Sequence, residues 1–227
     1  RTYQIARRAQ DDDRHDDRDK TREKAQDKGE GDVWLHDMLL ERADGRAVDL
    51  DAVKQGLEAA FLVVMRGVAE NDGYNALVLA AAMRWRDVAL VRTMSRFLRQ
   101  IRVPYSQDYM WTTLVKHAGI AADIARLFQA RFDPRHTISA DERKAHEAEV
   151  AAAIEAALQD VASLDEDRIL RRFVNAVQAA IRTNFYQIDS NGQPKQLIAV
   201  KFASRTLDAL PQPRPLYEIF VYSPRVE

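Results

Sequence analysis

The spacing of apolar side chains constrains this chain more than any other feature. From Asp49 to Thr183 they recur at steps of three and four, and past Leu197 the step becomes two. A step near 3.6 lines side chains along one stripe of a helix. A step of two puts them on one face of a strand. The expected fold class is therefore mainly α. It is a multi-helix block with short N-terminal strands and a C-terminal antiparallel β segment, α+β overall.

The closing stretch, LIAVKFASRTLDALPQPRPLYEIFVYSPRVE over residues 197–227, holds two β-rich runs, Leu197–Phe202 and Leu216–Tyr222. Ile198, Val200 and Phe202 alternate with Ala199 and Lys201, and Tyr217, Ile219 and Val221 alternate with Glu218 and Phe220. Pro211, Pro213 and Pro215 between them lack the amide hydrogen a ladder needs, so the connection belongs outside the sheet. Two strands alone are marginal in water. The sheet is expected to continue past Glu227 in a larger protein.

Upstream, Asp49 or Asp51 is placed to cap a helix carrying Val53, Leu57, Ala60, Phe61, Val64, Met65 and Val68 on one face. Asn71-Asp72-Gly73 breaks it, and Asn75–Met83 reads as a short buried helix. Trp85–Ile101 follows, with Val88, Val91, Met94 and Leu98 inward and Arg92, Arg96, Arg99 and Arg102 on another stripe, read as solvated or ion-paired. Val103-Pro104 ends that helix. Ser106 caps the next, with Tyr105 and Met110 spaced as a hydrophobic staple, and His117 before Gly119 closes it. Ile120–Phe132 is stopped by Asp133-Pro134.

Ser139–Val161 is the longest predicted helix. Ser139 and Glu142 form a capping box, and Val150, Ile154, Leu158 and Val161 make a narrow seam. Ser163 and Glu166 are spaced as a second box. The last helix is predicted to run to about Thr183, with Ile169, Leu170, Phe173, Val174, Val177 and Ile181 inward. Asp189-Ser190-Asn191-Gly192 reads as a hairpin turn between Phe185–Ile188 and Leu197–Phe202.

At the other end, Thr2–Ile5 and Asp32–Glu41 read as strands, and Ala43-Asp44-Gly45-Arg46 as a turn. Between the strands, residues 10–31 are polar. Nine acids and six bases fall between Asp11 and Glu30, as expected of a solvated insertion.

Composition narrows the function classes. The chain has 34 Lys and Arg against 35 Asp and Glu, a net charge of −1, which argues against a dedicated nucleic-acid binder. The absence of cysteine excludes disulfides and thiolate metal sites and permits a reducing, cytoplasmic setting. No apolar run reaches the length of a membrane span. Glycine-rich phosphate loops, zinc-binding helix motifs and nucleophile elbows are absent. Lys195 and Lys201 lie near the terminal strands, with Lys201 expected on their polar or partly covered face. His15, His136 and His146 lack partners at metal-ligand spacing, and His117 suits a helix dipole. No residue is singled out as catalytic, cofactor-binding or metal-binding.

Four runs carry a likeness to a known family: AENDGYNALVLAAAM at Ala69–Met83, RQIRVPYSQDYM at Arg99–Met110, RTNFYQ at Arg182–Gln187, and the closing PRPLYEIFVYSPRVE. In order and content they resemble the segment leading into the catalytic region of the large bacterial NAD-specific glutamate dehydrogenases. The likeness covers roughly Val33 to Glu227. It implies oxidative deamination of L-glutamate to 2-oxoglutarate and ammonium by the parent protein. It also implies a homo-oligomeric, cytoplasmic enzyme whose NAD and catalytic lysines are held beyond Glu227. Residues 1–48 would end an ACT-like module, 49–183 form a helical domain, and 184–227 supply the first strands of the substrate domain. The segment alone is expected to be inactive. Two other readings remain: an autonomous helical interaction or regulatory module without catalysis, and a nucleic-acid binder using the arginine stripe.

Overall fold

The structure, a computed structural model, describes residues 2–5, 33–36, 45 and 47–224. The charged stretch 10–31, most of the predicted 32–41 strand beyond its core, and Ala43, Asp44 and Arg46 of the predicted turn lie outside the described residues. The described residues divide between two compact units, 1–47 and 48–227.

In the first unit, β1 (Thr2–Ile5) pairs antiparallel with β2 (Val33–His36), Tyr3 opposite Leu35 and Gln4 opposite Trp34. These are the two predicted strands.

The second unit is mainly α, with a small antiparallel sheet at its end. Its helices are α1 (Leu50–Met65), α2 (Leu77–Ala80), α3 (Trp85–Gln100), α4 (Gln107–Lys116), α5 (Ala118–Phe132), α6 (Ala140–Leu158) and α7 (Leu164–Ala179). Caps set most of the starts. The Asp49 carboxylate accepts from the amides of Asp51 and Ala52, and Ser106 Oγ accepts from Tyr109 N. Ser139 and Glu142 form the reciprocal capping box at α6. Each such cap contributes on the order of 1 kcal/mol.

Helix α3 is the axis of the unit. It packs against α1, the turn Gly73–Ala76, α4, α5, α7 and the last strand. Enclosed on all sides, it buries nearly everything from Val88 to Leu98, including Arg92, Thr93 and Ser95. The arginine stripe therefore divides. Arg92 is fully buried, Arg96 is ion-paired with Glu70, and Arg99 and Arg102 are exposed. Helix α1 is covered along one edge only, where Val53 and Ala60 are buried, while Phe61, Leu62 and Met65 are exposed. It is a peripheral helix, and its predicted apolar face is only partly used.

Three boundaries differ from the sequence reading. Gly119 does not close α4; it is exposed in the first turn of α5, and His117 alone separates the two helices. The short apolar helix divides into a 3-10 turn, Gly73–Ala76, and the single turn of α2. The last helix stops at Ala179, where Ala180 turns extended (ψ 135°) and the chain becomes β3 (Ala180–Thr183). Ile181, expected inward on the helix, is an exposed strand residue.

Strand β3 pairs with β4 (Ile198–Ala203), and β4 with β5 (Tyr217–Tyr222), both antiparallel. The arm facing β4 is thus Ala180–Thr183 rather than Phe185–Ile188. The latter runs as a loop closed by a lone bridge between Ile188 and Pro194. β-Branched Ile181 and Thr183 suit a pleated surface better than a helix end. Asn184 prolongs the pairing with its side chain, accepting from Ala199 N at 2.7 Å and donating to Leu197 O at 3.1 Å. The predicted turn at Asp189–Gly192 forms, with Gly192 at φ +73°, a conformation that suits glycine.

The sheet docks on α3 through aromatic rings. Phe97 stacks on Phe202 at 4.1 Å between centroids and meets Phe220 at 5.6 Å. Ile198, Val200 and Phe202 are buried, as their alternation requires. On β5 the buried side is Phe220 and Tyr222, leaving Tyr217, Ile219 and Val221 exposed.

Candidate functional site

The N-terminus of α3 opens onto a cleft of about 630 Å³. The chain enters it sharply. Ala82 sits at φ 49°, which an alanine adopts only when its surroundings force it, and Arg84 begins the helix with no side-chain cap. The walls come from Gln55, Gly56 and Ala59 of α1, Arg84–Asp87 of α3, Gln129 of α5, Pro134 and Arg135 after it, and the loop Phe185–Ile188 with Pro194.

Arg86 is the central cation. One terminal guanidinium nitrogen donates to Phe185 O at 3.1 Å, and the group lies 4.7 Å from the Phe185 ring centre and 5.9 Å from that of Trp85. Its Nε is buried without a partner among the described residues. Burial lowers its pKa to about 10, against a partial restoring effect of Asp87, so it is cationic at neutral pH. Asp87 is itself pushed up by burial, although Gln129 Nε2 donates to its Oδ1 at 2.9 Å and Arg84 stands 3.9 Å away. The Tyr186 hydroxyl is buried without a partner among the described residues, and burial raises its pKa. Arg135 is different. It grips Asp133 with two nitrogens, at 2.6 and 2.9 Å, which holds the Asp133 carboxyl below its usual range.

The cleft thus combines flat apolar walls, an unmatched guanidinium and an unused hydroxyl. That is binding chemistry; it pairs no nucleophile with a base.

A second polar cluster is built into the core. Arg92 donates to both carboxylate oxygens of Asp72 at 2.7 Å and to Asn75 Oδ1 at 2.8 Å. Asp72 also caps the 3-10 turn by accepting from Tyr74 N. Glu70 joins Arg96 to Tyr222. Every member has a partner, so the cluster locks the α1–α2 connection to α3 and β5.

Neither lysine near the terminal strands enters the cleft. Lys201 Nζ lies 3.8 Å over the Tyr217 ring, and Lys195 Nζ donates to Gln187 Oε1 at 3.1 Å. His136 and His146 are exposed, and no group of three metal-ligating side chains occurs among the described residues. Sequence reasoning did not single out Arg86, Asp87 or Tyr186. The available signal was local: a charged pair just inside a helix start, and an aromatic pair, Phe185-Tyr186, in a run already notable for its family likeness.

Two family models match the chain. The one described as glutamate dehydrogenase, helical motif 3, covers residues 69–134. The one described as the bacterial NAD-glutamate dehydrogenase catalytic domain covers residues 153–227. The chain is 43% identical over 196 residues to an NAD-specific glutamate dehydrogenase of Pseudomonas aeruginosa, covering 86% of this chain and 12% of that protein. It is 37% identical over 194 residues to the Halomonas elongata protein of the same name, with the same coverage of 86% and 12%. A Mycobacterium tuberculosis protein, also so named, is 41% identical over 169 residues, 74% of this chain and 10% of its own length. The chain therefore spans about an eighth or less of these relatives.

Proposed function

Because the chain belongs to the family of the large NAD-specific glutamate dehydrogenases, we propose that the protein of which it is a segment oxidises L-glutamate with NAD. Glutamate, water and NAD⁺ would give 2-oxoglutarate, ammonium, NADH and a proton. The observation that carries this reading is the catalytic-domain match over residues 153–227. The segment's own part is structural. Its helices form a scaffold, and the sheet closing it is the entry to the substrate domain. The exposed side chains of Tyr217, Ile219 and Val221 on β5 support that role, since an apolar strand face calls for a covering layer. NAD and substrate are held by other parts of the enzyme, which acts as a cytoplasmic homo-oligomer. No helix among the described residues is long and apolar enough to cross a membrane.

The test is NADH formation followed by absorbance. The whole enzyme is expected to reduce NAD when given L-glutamate, and this chain alone is expected not to. A whole enzyme inert toward glutamate, or turnover by the chain alone, would overturn the assignment.

A further inference from the structure

We propose that the cleft at the start of α3 is a binding site for a small organic anion with a flat apolar body, of the aromatic carboxylate class. The proposal does not rest on the dehydrogenase reading. Its first support is size: about 630 Å³ lies within the range of small-molecule pockets.

The second support is charge. Arg135 is matched by Asp133, and Arg84 stands near Asp87. Arg86 has no carboxylate within ion-pair distance among the described residues; its direct partner is the carbonyl of Phe185. One guanidinium in the cleft is left for an incoming anion, and a carboxylate fits its planar fork.

The third support is the pair of unused donors. Among the described residues, Arg86 Nε and the Tyr186 hydroxyl are both buried and both unpartnered. Native interiors seldom leave such groups unpaired, and those that do occur call for an explanation. A ligand whose carboxylate meets Arg86 and whose body brings a polar atom to Tyr186, the two side chains turning to admit it, supplies one. The fourth is the shape of the walls. Trp85, Phe185, Tyr186, Pro134 and Pro194 offer rings and flat faces to an aromatic body. A metal ion is a poor match, because Asp87 is the one carboxylate among the lining residues.

The experiment is isothermal titration calorimetry on the full chain, with indole-3-acetate as probe. Indole-3-ethanol keeps the ring without the charge, and acetate keeps the charge without the ring. Saturable one-site binding of indole-3-acetate is expected, with each control weaker by about tenfold or more. Arg86→Gln should weaken binding by roughly tenfold. Should that variant fold poorly, Tyr186→Phe decides. Its hydroxyl has no partner, so removing it should leave the melting temperature unchanged or raised while binding weakens by about fivefold. Arg102→Gln, at an exposed position, should bind as the parent does. No saturable binding, equal affinity for indole-3-ethanol, or undiminished binding by a folded Tyr186→Phe variant would each overturn the proposal. None of these results depends on glutamate turnover, so failure here leaves the dehydrogenase assignment untouched.

Discussion

The Tyr222 hydroxyl donates to Glu70 Oε1 at 2.8 Å, tying the last strand to the connection after the first helix across 152 positions of sequence. Glu70 holds Arg96 at the same time, so the contact links β5, α3 and the helical entry in one place. Tyr222→Phe keeps the ring and removes only that bond. We expect a loss of about 1–2 kcal/mol, read as a lower midpoint in urea denaturation at unchanged slope. A changed slope would mean that the strand itself had come loose.

Arg92 is the largest fully buried side chain among the described residues, and its charge is matched by Asp72 with both carboxylate oxygens. Arg92→Met should cost about 3–5 kcal/mol, because it leaves the mostly covered Asp72 carboxylate without its guanidinium. Adding Asp72→Asn should recover part of that loss. Arg102→Gln, at the exposed end of the same stripe, should change stability by less than about 0.5 kcal/mol. Equal effects at both positions would show that burial does not separate them.

Gly73 lies against the Trp111 indole, and a Cβ there would meet ring atoms at 2.5 Å. Gly73→Ala should therefore destabilise by about 1–3 kcal/mol through overpacking, since the ring also meets Tyr74 edge-on and has little room to move. Gly119→Ala is the contrast: no atom lies near its added Cβ, and the position is helical. It should be stabilising by about 0.5–1 kcal/mol. Thermal melting of the two variants checks both signs.

Glu166 gives a pH-dependent contribution. Bonds from His117 and Lys116 hold its carboxyl below the ordinary range. A depressed folded pKa stabilises at pH values above the unfolded pKa, near 4.3 for glutamate, and the contribution is lost as pH falls through the folded value. Glu166→Gln should thus narrow the gap in melting temperature between neutral pH and about pH 3. A gap as wide as that of the parent would mean that these contacts do not persist in solution. Lys116 is exposed, so its share of the effect should be modest.

Glu166 also illustrates what spacing can and cannot tell. Ser163 and Glu166 carry the sequence signature of a capping box, and the Ser163 hydroxyl does accept from Glu166 N. The glutamate side chain, however, turns to His117 and Lys116, roughly 50 positions earlier in the chain. At α6 no such competitor pairs with Glu142 among the described residues, and the same signature gives the full box. A local pattern proposes a bond, and a distant partner of opposite charge can take it away.

The arginine stripe follows the same logic. Four arginines at helical spacing are one feature in sequence, yet three different environments in space. Arg92 is itself buried against Asp72, Arg96 is partly exposed against Glu70, and Arg99 and Arg102 are exposed. The cleft was less legible still. Its lining comes from stretches of chain far apart in sequence, and no short window contains both Arg86 and Tyr186.

By itself the sequence determined what depends on neighbours along the chain: the helical periods, the caps at Ser106 and Ser139, the stop at Asp133-Pro134, and the alternation of β4. These follow from backbone hydrogen bonding and side-chain spacing over a few residues. Tertiary structure alone decided where α7 yields to β3, which arginine is buried, and which donors are left unpaired around the cleft. Those outcomes turn on solvent exclusion and on charges brought together from distant segments, and neither is fixed until the whole unit has packed.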